Sequence, residues 1–263
     1  VSFLKELLSK AGRATRARRK NLKQAQNRHA QSYDRLKALE ELAKDGSDEA
    51  LLGLFRRFSL RYDKTIEDEE EREWVYETLV SFGPRAVPAL RAYLAEADSI
   101  SWPLKVLEAV APPTADGQDP TLWGIVDDLV KRFEPGYLRD PSPKLQFVAW
   151  LGELSAAKSV DHVIPYLEDM DEGVRLAAIE ALFKLKAHRT VEPLLNRLVD
   201  PTEESRRVKV AIAEGLADTG WELPADRKAA VEQVLPDGLL VERSGDTKAL
   251  RVRRPAPPKA AQK

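Results

Sequence analysis

The stretch Asp171-Glu-Gly-Val-Arg-Leu-Ala-Ala-Ile-Glu-Ala-Leu182, followed by Val191-Glu-Pro-Leu-Leu-Asn-Arg-Leu-Val-Asp200, decides the fold. In the first part Val174, Ala177, Ala178, Ala181, Leu182 and Leu185 recur at i, i+3, i+4 steps, the signature of a helix with one apolar face. Its alanines let a neighbouring helix come close. In the second part Pro193 has a fixed φ and no N–H, which a helix tolerates only in its first turn, so Val-Glu-Pro-Leu marks the start of a second helix. The two together predict a helical hairpin.

The hairpin repeats. Aligning Asp140 with Asp171 brings Lys144 opposite Arg175, Leu145 opposite Leu176, Leu151 opposite Leu182 and Leu154 opposite Leu185. The second element recurs as Val163-Ile-Pro-Tyr-Leu167 and as Ala86-Val-Pro-Ala-Leu90. A hairpin of this length cannot bury its apolar stripe alone, so copies must stack. Helix pairs are expected at 31–59, 67–97, 99–134, 141–169, 171–199 and 201–235. The third matches poorly, and Pro112-Pro113, Gly117, Pro120, Pro135-Gly136 and Pro141-Ser-Pro143 around it predict long loops and a change of path. Beyond Pro236-Asp-Gly238 the period changes to two: Leu239, Val241, Leu250 and Val252 flank Ser244-Gly-Asp-Thr247, a short β-hairpin that must dock on the last helices to be stable. The organisation expected is a basic amphipathic helical arm at 1–30, a repeat array at 31–236, a β-hairpin at 237–254 and a flexible tail at 255–263.

Composition excludes much chemistry. The 263 residues are 43% hydrophobic, 32% charged and 7% aromatic, with no cysteine, so thiolate metal sites, disulfides and cysteine nucleophiles are out. His29, His162 and His188 show no metal-binding spacing. No apolar window is long enough to cross a bilayer, and the expected location is cytoplasmic, with peripheral membrane contact as an option. The net charge of −1 hides a segregation. Residues 1–33 carry nine Lys or Arg and one acid, residues 247–263 six and none, and residues 34–246 hold 27 bases against 42 acids. Either basic end can attract an anionic surface or fold onto the protein's own acids.

The Asp171–Leu182 and Val191–Asp200 pattern resembles HEAT repeats, in the bacterial form also seen in phycobilin lyases. The resemblance implies an all-α fold, a right-handed α-α superhelix closed by the β-hairpin, and a surface that binds a protein partner. In that family the second helix of each hairpin lines the concave face, which makes Arg91, Glu168, Asn196 and Arg197 candidate partner contacts. The matching positions are packing residues and say nothing of a bilin. The family's di-iron hydroxylases use His-Glu pairs, whereas Val163 follows His162 and Arg189 follows His188. Its DNA glycosylases pair a cationic concave face with aromatics and a carboxylate; the acidic body opposes that, and Trp74, Trp102, Trp123, Trp150 and Trp221 read better as interhelical packing.

The expectation is therefore a non-enzymatic scaffold or adaptor with no catalytic residue, metal, cofactor or small-molecule substrate. Arg13, Arg16, Arg18, Arg19, Lys20 and Lys23 form an auxiliary anchor for an anionic partner. Phe3, Leu4, Leu7, Leu8 and Ala11 beside them can insert in an anionic membrane or cover the first hairpin. The alternative class is a nucleic-acid-binding protein that uses its basic termini. The run Glu67-Asp-Glu-Glu-Glu-Arg-Glu73 suits a helix N-terminus, but six carboxylates exceed what one helix end needs and suggest a basic partner or the protein's own arm.

Overall fold

The computed structural model describes residues 10–62, 65–114, 119–243 and 249–255. Its helices are α1 (Lys10–Ala25), α2 (Ser32–Asp45), α3 (Asp48–Arg56), α4 (Thr65–Ser81), α5 (Val87–Leu94), α6 (Ser101–Val110), α7 (Pro120–Arg132), α8 (Ser142–Glu153), α9 (Ser159–Val163), α10 (Glu172–Lys184), α11 (Val191–Val199), α12 (Arg206–Thr219) and α13 (Lys228–Val234). Strands β1 (Leu240–Arg243) and β2 (Leu250–Arg253) pair antiparallel, Val241 opposite Val252. This is an all-α solenoid fold with a small C-terminal sheet. The chain divides into two compact units, Val1–Arg132 and Phe133–Lys263, at a point inside the proline- and glycine-broken stretch. The apolar stripe at Phe3–Leu8, the turn at 244–247 and the tail from 256 lie outside the described residues.

In the first unit, α2 and α3 are joined by a two-residue loop whose chemistry sets both ends. Gly46 takes φ 59 and donates its N–H to Leu42 O, stopping α2, and the Ser47 hydroxyl accepts from Ala50 N–H at 3.4 Å, starting α3. Helix α1 lies on this pair. Ala25 is buried and Leu22 sits against Gly53, where a Cβ would overlap the Leu22 methyl. Arg18 fixes the helix by bonding Asp45 Oδ2 and Glu49 Oε2, each at 2.9 Å. The basic segment thus covers the first hairpin and uses one of its own cations to do so. Phe58 stacks on Trp102 at 5.7 Å and Phe55 on Tyr93 at 5.8 Å within the same unit.

In the second unit the repeat is plain. Asp171 Oδ1 accepts from Val174 N–H at 3.0 Å and Ser205 Oγ from Val208 N–H at 3.2 Å, so both α10 and α12 begin on a side-chain cap. Pro193 stands in the first turn of α11, and Pro88 does the same for α5 in the first unit. Pro165 behaves differently. The helical segment begins six residues earlier at Ser159, and because Pro165 offers no N–H to continue the α-helical ladder, the α-helix gives way after Val163 to a 3-10 turn over Ile164–Glu168. The β-hairpin docks on the last helices through buried Leu250 and Val252, a Leu223 N–H to Leu250 O bond of 2.8 Å, and ion pairs Arg251–Glu222 and Arg254–Asp218.

Helices α8 and α10 approach most closely at Gly152. A Cβ there would stand 2.7 Å from both Cα and Cβ of Ala181, a backbone that cannot step aside like a side-chain tip. In an open helix Gly→Ala gains about 1 kcal/mol. Here Gly152→Ala is expected to destabilise by about 1–3 kcal/mol because it overpacks the seam. Urea denaturation reads the sign directly, and a stabilised variant would mean the helices are not held this close.

Candidate functional site

The charged side chains of the array are organised at intervals of one repeat. In the second unit Lys184 meets Glu153, 31 residues away, at 2.6 Å; Arg189 meets Asp161, 28 residues away, at 2.5 Å; and Arg207 meets Glu172, 35 residues away, at 3.1 Å. Each links one hairpin to the next. Exposed pairs of this kind contribute little stability singly, and here they mark which faces of successive hairpins meet.

The residues expected to line the second-helix face enter this ladder. Arg91 pairs with Asp128 across the mouth of a groove of about 220 Å³ floored by Leu94, Ile125 and Leu129. Beside it Arg132 donates to Leu94 O and Ala97 O at 2.6 and 2.8 Å, satisfying carbonyls at the end of α5. In the second unit Glu168 and Arg197 meet at 3.2 Å, and Asn196 Oδ1 accepts from Arg227 Nη2 at 2.5 Å. Arg197 is only 8% exposed; its Nε and Nη2 hold Glu203 Oε2 at 2.7 and 2.6 Å and Nη1 reaches Asp200 at 3.2 Å. That guanidinium ties the loop before α12 in place instead of facing outward. Burial alone would raise the Glu203 carboxyl, but the Ser205 amide, Arg197 and Arg175 outweigh it and hold it below its ordinary value. The sequence reading missed Asp128, Glu203 and Arg227; spacing by one repeat from Arg91, Arg175 and Asn196 is the signal that finds them.

The basic candidates lie on α1. At 100° per residue, the packed row Arg18, Leu22 and Ala25 faces one way, while exposed Arg13, Arg16, Lys20 and Lys23 fall within an arc of about 80° on the opposite side, with Arg19 on its flank. Of the six, only Arg18 turns inward. The outward row covers about 15 Å of helix at 1.5 Å per residue.

The acidic run has two uses. Asp68 and Glu71 are buried: Arg57 grips both, with Nη2 2.6 Å from Asp68 Oδ1, Arg35 reaches Glu71 Oε2 at 3.3 Å, and Arg72 reaches Asp68 Oδ2 at 3.0 Å. The guanidinium carbons of Arg35 and Arg57 sit 3.7 and 4.5 Å from the centre of the Tyr62 ring, and burial pushes the Tyr62 hydroxyl up. Glu69, Glu70 and Glu73 remain exposed. Trp123 and Trp150 are buried, Trp102 stacks on Phe58 and Trp221 lies 5.4 Å from Phe183, so four of the five tryptophans fill space between helices; Trp74 lines a groove instead. Among the described residues no three His, Asp or Glu side chains converge on a common point for a cation, and no helix is long and apolar enough to cross a membrane.

The comparison with curated proteins finds no match. A family model described as HEAT repeats matches residues 130–233, the stretch that holds α8 to α13, with the capped helices α10 and α12, the Pro-marked turns and the one-repeat ion pairs. The chain carries a stretch of HEAT-like repeats over residues 130–233.

Proposed function

We propose that the chain is a non-enzymatic scaffold or adaptor that holds a protein partner on its hairpin array, with the outward cations of α1 as an auxiliary anchor for an anionic surface. HEAT repeats generally mediate protein–protein interaction. The observation that carries the reading is the ladder of inter-hairpin ion pairs, which holds successive helices in fixed register and so preorganises an extended surface, lowering the ordering cost of binding. The test must respect the role of α1 as a cover, since removing residues 1–30 would also take Leu22 away from Gly53 and Leu42 of the first hairpin. Affinity capture from native lysate with the full chain should retain a partner at near-equal stoichiometry. A variant with Arg13, Arg16, Lys20 and Lys23 changed to Gln should melt like the wild type and retain less of it, more so at low salt. No retained partner sinks the scaffold reading, and equal retention by the variant sinks the anchor.

Nucleic-acid binding is the second reading, favoured by the α1 row; among the described residues of the other basic end, Arg251 and Arg254 pair internally with Glu222 and Asp218, while Arg253 is exposed. It predicts a gel shift whose affinity falls steeply with added salt. Absence of a shift at low salt removes it.

A further inference from the structure

We propose that the groove between α2 and α4 receives an arginine side chain from a basic segment of a partner protein. On α4, Glu67, Glu70, Glu71 and Trp74 stand at i, i+3, i+4 and i+7 and share one face; on α2, Tyr33 and Leu36 look back at them across about 390 Å³. The walls are aromatic and aliphatic, and the rim is anionic. Tyr33 is 72% exposed, an aromatic ring left in water at the edge of a half-buried indole.

This combination selects its occupant. An anion is repelled by exposed Glu70, and an apolar side chain would strip water from that carboxylate without compensation. A cation with a long aliphatic stem satisfies both surfaces: the stem lies along Leu36 and Trp74, the charge reaches the rim. Arginine fits better than lysine because its planar, weakly hydrated guanidinium stacks on aromatic faces and forks onto a carboxylate. The floor is already set for it. Glu71 is held by Arg57 and Arg35 and stays put, whereas Glu70 is exposed and turned to solvent. The occupant is opposite in charge to the one expected on α1, so this site goes beyond the adaptor reading and stands or falls separately from it.

The probe is a fluorescein-labelled pentapeptide, Gly-Arg-Gly-Arg-Gly, titrated by anisotropy against the full chain at physiological salt, beside the same peptide with citrulline or lysine in place of arginine. Glu70→Gln and Tyr33→Ser alter exposed side chains outside the buried Arg57 network, and an unchanged thermal melt verifies that they fold. The double variant is expected to weaken arginine-peptide binding about five- to tenfold, the citrulline peptide to bind no better than that, and the lysine peptide to fall between. Equal binding by the double variant, equal binding of the citrulline peptide, or no binding of the arginine peptide overturns the assignment. Self-association by sedimentation that the double variant abolishes would also overturn it, placing a second copy of the chain in the groove. None of these results depends on whether a partner is captured from lysate.

Discussion

Replacing Arg57 with methionine is expected to cost the fold about 3 kcal/mol or more and to lower the melting temperature by roughly 10 °C. The side chain is fully buried and its three nitrogens are all engaged: Nε on Glu71, Nη2 on the side chain and carbonyl of Asp68, and Nη1 on Leu60 O at 3.0 Å. Methionine fills a similar volume, so the loss would come from charge and hydrogen bonding rather than from a cavity. Asp68 would keep Arg72, and Glu71 would keep Arg35 at 3.3 Å, which places the cost at the low end for a broken buried pair. Adding Asp68→Asn and Glu71→Gln takes the carboxylates away from Arg72 and Arg35 as well and should destabilise the chain further. Thermal and urea melts of the single and triple variants decide the matter: a loss below about 1 kcal/mol, or a triple variant more stable than the single, would show that the cluster is not an electrostatic lock.

The same cluster shows where a sequence stops being readable. The second unit is legible because its determinants repeat: Asp171, Val174-Arg175 and the Pro193 turn have counterparts one period away, and periodicity reports packing without any partner being known. The basic helix is not legible in that way. Its seam is one leucine, one alanine and a paired arginine, a signal too small to distinguish a docked cover from a solvated arm. Burial of Asp68 and Glu71 escapes a sequence reading because their partners Arg35 and Arg57 lie on a non-repeating part of the chain, and an acidic run looks solvent-facing until its counter-ions are located. The second-helix positions were legible as polar and partly exposed, but whether a guanidinium faces outward, like that of Arg91, or clamps a loop, like that of Arg197, depends on where a carboxylate sits on the following hairpin. The α2–α4 groove has no periodic trace at all, since Tyr33 and Glu70 meet only through tertiary packing.

The alignment of Lys144 with Arg175 leads to the second large effect. Both cations leave the first helix of a hairpin and clasp an acid in the loop ahead of the next one. Lys144 Nζ holds Asp169 Oδ2 at 2.8 Å and Gly136 O at 2.7 Å; Arg175 holds Glu203 Oε2 at 2.9 Å and Asp169 O at 2.8 Å. Each acid in turn accepts the N–H two residues on, Asp171 at 2.9 Å and Ser205 at 2.8 Å, which are the caps of α10 and α12. The cation therefore positions the carboxylate that shapes the cap that starts the next helix. Lys144→Met should cost about 3–5 kcal/mol, because Asp169, 2% exposed, keeps backbone donors from Gly136 and Asp171 but loses its counter-charge. Against a total of about 5–15 kcal/mol for an ordinary domain, that is a large fraction. Arg175→Met should cost less, since Glu203 retains Arg197 at 2.6 Å. Combining Lys144→Met with Asp169→Asn should return part of the loss: the amide carries no charge to bury and its single oxygen, placed as Oδ1, still accepts from Asp171, while the Gly136 N–H loses its acceptor at Oδ2. Urea midpoints for the three variants give the ordering. If Arg175→Met were the more damaging, or the double variant no better than Lys144→Met alone, the clasp would not be what sets the start of the following hairpin.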